Sequence, residues 1–318
     1  MRRDHGGDVD AARARFGGED WIDLSTGINR CPWPVPALPP AVWTALPTAA
    51  AGRALMQAAA RAFATDAPGL ALNGAQAAIQ LLPRLDAPGL ARVLAPTYNE
   101  HAACLRSAGW RVEEAARLED LPGADLAVVV NPNNPDGRRH DPARLLDLSR
   151  SVGRLVVDES FADADPALSV AAHAGARLTV LRSFGKFWGL AGLRLGFAFA
   201  DAGTIARIGA MAGPWPVSGP ALEIGRLALA DAAWAGATAA RLAQEGPRLD
   251  ALAQAAGWRL VGGTALFRTY AVPGAAQAQE RLARHHIWSR IFPYSPHWLR
   301  LGLPGSPAEW ARLAGALA

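Results

Sequence analysis

The segment RSFGKFWGLAGLRLGF, residues 182–197, holds Lys186, and every other member of the 32 lysines and arginines is an arginine. A guanidinium stays protonated in proteins, whereas burial or neighbouring cations can strip a lysine amine of its proton. Only the neutral amine attacks a carbonyl. A Schiff-base role therefore forbids arginine at this position while leaving it suitable for surface charge or phosphate. The count alone is also what a GC-rich coding bias would leave by chance, so the neighbours must weigh in. Ser183 and Arg194 flank a glycine-rich stretch (Gly185, Gly189, Gly192) that lets backbone and ligand approach closely. Arg194 offers a bidentate phosphate clamp.

Four other stretches carry groups that could join this chemistry. In LNGAQAAIQLL, Gly74 permits an unusual backbone angle, and the helix beginning near Ala75 and Gln76 has free amides that suit a phosphate. In APTYNEH, the ring of Tyr98 can stack on a planar ligand. In VVVNPNNPDGRR, Asn131, Asn133 and Asn134 stand between prolines on a loop closed by Gly137. In RLVVDESF, Asp158 ends an apolar run, where a carboxylate is costly to bury unless paired. Each feature has a plainer reading: an ordinary loop, packing, turn formation, a helix cap. Taken together, they meet the demands of a planar cofactor with a phosphate, a ring nitrogen, a ring hydroxyl and an aldehyde, as in pyridoxal 5'-phosphate.

The elements that must position these groups are legible as apolar runs bounded by turn signals. They are ARVLA (91–95), LAVVV (126–130), LVV (155–157), LTVL (178–181) and LGFAFA (195–200), with helical patterns at 76–82 and 142–152 between them. This alternation predicts an α/β layer fold with a largely parallel sheet and a site beyond the strands' carboxyl ends. An Ala-rich helical stretch follows at 232–256, with a kink or break expected at Pro247. WRLVGGTALFRTYAV reads as two strands around Gly262 and Gly263, and LRLGL as another, giving a smaller, more antiparallel domain. The expected division is a large cofactor-binding domain at 20–231 and a small domain made of 1–19 and 232–318. The proline-rich stretch 31–40 should run extended over a surface.

A chain of 318 residues, 51% hydrophobic and 19% charged, suits a globular protein with a substantial core. The opening residues lack the apolar run of a secretory signal, and no stretch has the length and apolarity of a membrane span, so a cytoplasmic location is expected. Cys31 and Cys104 have neither metal-ligand nor disulfide-scaffold spacing, and no metal site is expected. The net charge of +4 is spread along helix faces rather than gathered into a nucleic-acid footprint.

The ordered motifs NPNNPDG, DESF and SFGKFWGLAGLR resemble the fold-type I aminotransferase superfamily, near the histidinol-phosphate aminotransferases. The start HGGDVDAARARFG followed by IDLSTGINRCPWP resembles its cobalamin-pathway branch, the threonine-phosphate decarboxylase-like proteins. The resemblance implies that Lys186 is joined to the cofactor aldehyde, Asp158 partners the pyridinium nitrogen, Asn134 bonds the ring hydroxyl and Tyr98 stacks on the ring. It gives the phosphate to Gly74, Ala75, Gln76, Ser183 and Arg194. Arg290 and Arg300 would grip the substrate's anionic groups, and His5 would fold back over it. Where relatives often carry cofactor-shell hydroxyls, this chain has Leu46, Phe161 and Gly185.

The implied reaction is decarboxylation of L-threonine O-3-phosphate to aminopropanol phosphate by a homodimer. Two alternatives stay open in the sequence. One is an aminotransferase acting on a phosphorylated amino acid or amino alcohol such as histidinol phosphate. The other is an idle subunit serving the corrinoid amidation step. A catalyst requires the lysine-linked cofactor, whereas an idle subunit does not.

Overall fold

In the computed structural model the described residues are 5–318, and they divide into two compact units. One comprises the chain through Pro32, Pro135–Arg138 and Ala237–Ala318; the other, central unit comprises Trp33–Asn134 and Arg139–Gly236.

The strands are β1 (Ile22–Asp23), β2 (Gly69–Asn73), β3 (Leu90–Leu94), β4 (Arg111–Ala115), β5 (Leu126–Val130), β6 (Arg154–Asp158), β7 (Leu178–Ser183) and β8 (Leu195–Phe199). They continue with β9 (Arg259–Gly263), β10 (Phe267–Ala271), β11 (Ile287–Trp288), β12 (Arg290–Phe292) and β13 (Ser295–Gly302). The helices up to the central sheet's last strand are α1 (Val9–Phe16), α2 (Ala41–Thr44), α3 (Ala49–Ala62), α4 (Ala75–Leu81), α5 (Asn99–Ser107) and α6 (Pro142–Ser151). After it come α7 (Ala202–Ala212), α8 (Gly219–Leu229), α9 (Ala232–Ala255), α10 (Ala275–Arg284) and α11 (Pro307–Leu317).

The central unit is built on a seven-stranded sheet in the order β2-β8-β7-β6-β5-β3-β4. β8 alone runs against its neighbours, so the α/β fold with a mostly parallel sheet expected from the sequence is the one observed. β5 and β6 are buried at every residue, as befits strands covered on both faces. Two apolar clusters flank the sheet. Leu72, Ile79, Val93, Leu105 and Val156 contribute to one, and Leu121, Val129, Leu145, Leu155 and Val180 to the other. The stretch 31–40 forms no helix or strand, and its Trp33 is buried, donating from Nε1 to Asp231 at 3.1 Å.

The other unit carries the antiparallel sheet β12-β13-β10-β9 and a short parallel pair, β1 with β11. Gly262 and Gly263 lie within β9 rather than in the turn. A Cβ on Gly262 would stand 2.1 Å from the Asp136 carbonyl oxygen, so the glycine admits a passing backbone. Pro247 does not break α9, which continues on both sides of it. Apolar burial of Leu242, Leu249 and Ala253 holds the helix through the missing hydrogen bond to the Ala243 carbonyl. Restoring that bond with Pro247→Ala should stabilise this unit by about 1–2 kcal/mol, somewhat below the full propensity difference. A raised urea midpoint would register it.

Candidate active site

The parallel strands of the central unit end on one edge, and the chemistry-bearing stretches gather there. Tyr98 and Asn134 follow β3 and β5, Asp158 closes β6, and Ser183 closes β7 shortly before Lys186. β2 and β7 are both antiparallel to β8 and hence parallel to each other, so the turn at Gly74 reaches the same edge. At that edge β8 begins. Arg194 therefore precedes its strand while the other groups follow theirs. Gly74, Ala75, Gln76, Tyr98, Asn134 and Asp158 line one pocket, and Ser183, Lys186 and Arg194 complete its polar wall. The carboxyl-end site expected from the sequence is thus a single cavity.

Asp158 is 2% exposed, and both of its oxygens are engaged. His101 Nε2 lies 2.9 Å from Oδ2, while the Ser160 backbone amide at 3.0 Å and hydroxyl at 2.5 Å donate to Oδ1. Burial by itself would raise the carboxyl pKa, but the hydrogen bond and charge of His101, with the two bonds from Ser160, outweigh it and hold Asp158 below its usual range. The result is a fixed negative charge in the pocket wall, suited to a protonated ring nitrogen.

Tyr98 donates from its hydroxyl to Gln76 Oε1 at 3.2 Å, and its ring meets His101 edge-on at 6.1 Å between centroids. Burial, with the charges of Glu100 and Asp158, pushes the phenol up to about 12, so it remains a donor. Across the pocket, Gly74 has φ +74°, and a Cβ on it would stand 2.7 Å from Arg194 Nη2. Arg194 itself has φ +54°, a left-handed conformation that costs a non-glycine residue about 1–2 kcal/mol. Gly196 belongs to the same contact, since a Cβ there would reach 2.2 Å from the Ala75 nitrogen. This cradle, with Ser183, suits a small anion.

Lys186 Nζ lies 5.8 Å from the Phe161 ring centroid. The absent hydroxyl at position 185 has a packing cause: a Cβ on Gly185 would stand 2.8 Å from the Ala191 Cα, so any side chain there requires the backbone to shift. Of the three loop asparagines, Asn131 binds the His140 backbone through both ends of its amide, and Asn133 holds Thr97 and the Pro96 carbonyl. Asn134 is the one that lines the pocket.

Arg290, Arg300 and His5 belong to the other unit. Arg290 pairs with Arg300 across β12 and β13, and Arg300, 5% exposed, donates from Nη2 to the Ser25 carbonyl. Burial, reinforced by the Arg290 charge, lowers the Arg300 guanidinium to about 9. Ser25 also receives the chain after His5. Its Oγ accepts from the Gly7 amide at 2.8 Å while donating to Asp23 Oδ1 at 2.6 Å, and a Cβ on Gly6 would stand 2.6 Å from its carbonyl oxygen. Close contact with Ser25 thus demands the first glycine of the HGG start, and a left-handed φ of +94° favours the second.

Several participants escaped the sequence reading. His101 was legible in principle, since three residues after Tyr98 at a helix start puts both side chains on one face. Ser160 and Ser25 act through loop geometry, which no spacing announces.

The family model for aminotransferase class I and II matches residues 53–317. The chain belongs to this family. A threonine-phosphate decarboxylase of Sinorhizobium sp is 46% identical across 99% of this chain and 97% of that protein. A threonine-phosphate decarboxylase of Pseudomonas aeruginosa is 43% identical across 99% and 97%. The histidinol-phosphate aminotransferase of Sinorhizobium meliloti, solved in complex with pyridoxal-5'-phosphate, superposes with a TM-score of 0.85 over 98% of this chain and 93% of that one, at 20% identity. It shares the fold of this family member.

His101→Leu leaves the Asp158 carboxylate buried with one partner fewer and should raise its pKa. At pH 7 the variant should lose about 2–3 kcal/mol of stability. Because a raised folded-state carboxyl penalises folding only above its unfolded value near 3.9, the deficit should shrink as pH falls toward 4. Urea unfolding of both proteins at pH 7 and pH 4.5 measures it.

Proposed function

We propose that the chain binds pyridoxal 5'-phosphate and decarboxylates L-threonine O-3-phosphate to (R)-1-amino-2-propanol O-2-phosphate, a step of cobalamin biosynthesis. The observation that carries this reading is the near full-length identity with the two threonine-phosphate decarboxylases. The pocket fits the cofactor by its donor set: a primary amine, a buried anionic carboxylate, an aromatic face, an amide, and an arginine laid over a glycine turn. When bound, the cofactor supplies an electron sink conjugated to the substrate α-carbon.

In this reading Lys186 holds the cofactor through its amine. The same amine would carry a proton to the substrate α-carbon. Asp158, kept ionised by His101 and Ser160, holds the ring nitrogen protonated. Tyr98 stacks on the ring, Asn134 binds the ring hydroxyl, and Gly74, Ala75, Gln76, Ser183 and Arg194 hold the phosphate. Arg290 and Arg300 take the substrate's phosphate and carboxylate, with His5 closing over them.

The protein acts as a homodimer in this proposal. Trp43, Leu46 and Trp215 are more than half exposed in the central unit, apolar surface suited to a second copy. Neither Cys31 nor Cys104 forms a disulfide, which supports placing the reaction in a reducing cytoplasm.

Purified protein given L-threonine O-3-phosphate should release carbon dioxide without forming glutamate from 2-oxoglutarate. Lys186→Ala should abolish turnover together with the visible absorbance of bound cofactor. Glutamate formation without carbon dioxide would instead establish an aminotransferase.

A further inference from the structure

A polar chain runs from the pocket wall into the interior of the central unit. Tyr98, the residue preceding α5, donates its hydroxyl proton to Gln76 Oε1 at 3.2 Å, and Gln76 Nε2 donates in turn to Glu100 Oε2 at 3.1 Å. Glu100 is 4% exposed, an uncommon situation for a glutamate. A primary amide has two ends of opposite character and nearly equal shape, so its orientation is set by whatever it meets. A carboxylate accepts and cannot donate. Facing Glu100, the amide must present its NH2, which leaves only the carbonyl end for Tyr98. The phenol, far from deprotonation at neutral pH, must then donate to that carbonyl.

We propose that Glu100 is a positioning residue: by fixing which end of the Gln76 amide meets Tyr98, it locks the tilt of the aromatic platform on which the cofactor ring stacks. The function of that platform rests on the cofactor reading above; the network itself does not. The hydroxyl is held through Gln76 and the ring edge packs against His101. Neither comes from the ligand, so the platform is set before binding and the cofactor bears no ordering cost there. The i, i+2 placement of Tyr98 and Glu100 around the start of α5 lets Gln76, from the first turn of α4, bridge them.

Glu100→Gln is the test because it keeps shape while removing the selection together with one negative charge: the new amide either donates or accepts, and Gln76 is free to turn over. The chain has 3 tyrosines, so in protein labelled with 13C-tyrosine the Tyr98 ring signals are those lost in Tyr98→Phe. Glu100→Gln should shift and broaden these signals and leave those of Tyr270 and Tyr294 in place, with or without cofactor. In the holoenzyme it should weaken pyridoxal phosphate binding about five- to tenfold and reduce the circular dichroism of the bound chromophore. In a Tyr98→Phe background the same substitution should change affinity less than twofold, since the residue it acts through is already uncoupled. Unmoved Tyr98 signals, or an affinity loss of equal size in both backgrounds, would overturn the proposal. Moved signals in a protein that binds no pyridoxal phosphate would support the network and sink the cofactor reading instead.

Discussion

Asp158 ends β6, a strand buried at every residue, and a carboxylate in that position costs several kcal/mol unless it is paired and hydrogen-bonded. Both partners are supplied by elements whose placement follows from that need. His101 arrives because α5 starts after β3, two strands away in the sheet, and its first turn leans over the end of β6. Ser160 arrives because the chain turns back on itself at once, presenting amide and hydroxyl to the same oxygen. A negative charge is thereby fixed at the centre of the edge where the parallel strands stop. The remaining pocket groups are disposed around that charge.

A second buried network fixes the lysine relative to this carboxylate. Arg182 on β7, 3% exposed, donates to Glu159 at 2.8 Å and reaches Asp163 at 3.3 Å, while its guanidinium covers the Phe63 ring at 4.3 Å. Glu159 in turn accepts from the Val170 amide and the Ser169 hydroxyl. Burial pushes Asp163 upward despite the neighbouring cation, and both carboxylates act on the Arg182 guanidinium. β6 and β7 already share a ladder; the ionic cluster ties β7, shortly before Lys186, to the loop that follows Asp158. A buried ion pair is a poor source of stability compared with apolar packing, but its geometry tolerates little slippage.

The sequence exposed what depends on residue type and left hidden what depends on approach. Lys186, Asp158, Tyr98, Asn134 and the Gly74 turn stand out because their chemistry is unusual for their surroundings, and they line one pocket. The α/β alternation was legible from the apolar runs, whereas β2 and the edge strand β4 were not. GLALN holds no β-branched or aromatic residue, and RVEEA carries two adjacent glutamates that an edge strand tolerates. Pro247 misled because local propensity speaks for a break while burial on both sides of it maintains α9. Ser25, Ser160 and Glu100 are ordinary polar residues whose importance comes only from the backbone groups and amides that the fold brings against them.

Arg290 and Arg300 present the opposite electrostatic problem to Asp158. Two guanidiniums face each other in register on neighbouring strands, one of them buried, and the buried one is pulled down by desolvation and by its neighbour. Asp23 and Tyr294 offset this in part, but Asp23 Oδ1 is already bonded by the Ser25 amide and hydroxyl. Such a pair is held together by the fold rather than by its own interaction, and a doubly charged anion between the two cations would relieve both the repulsion and the desolvation. A carboxylate of one charge would relieve less. Under the function proposed above, the arrangement would favour a substrate with a phosphate over the corresponding unphosphorylated amino acid.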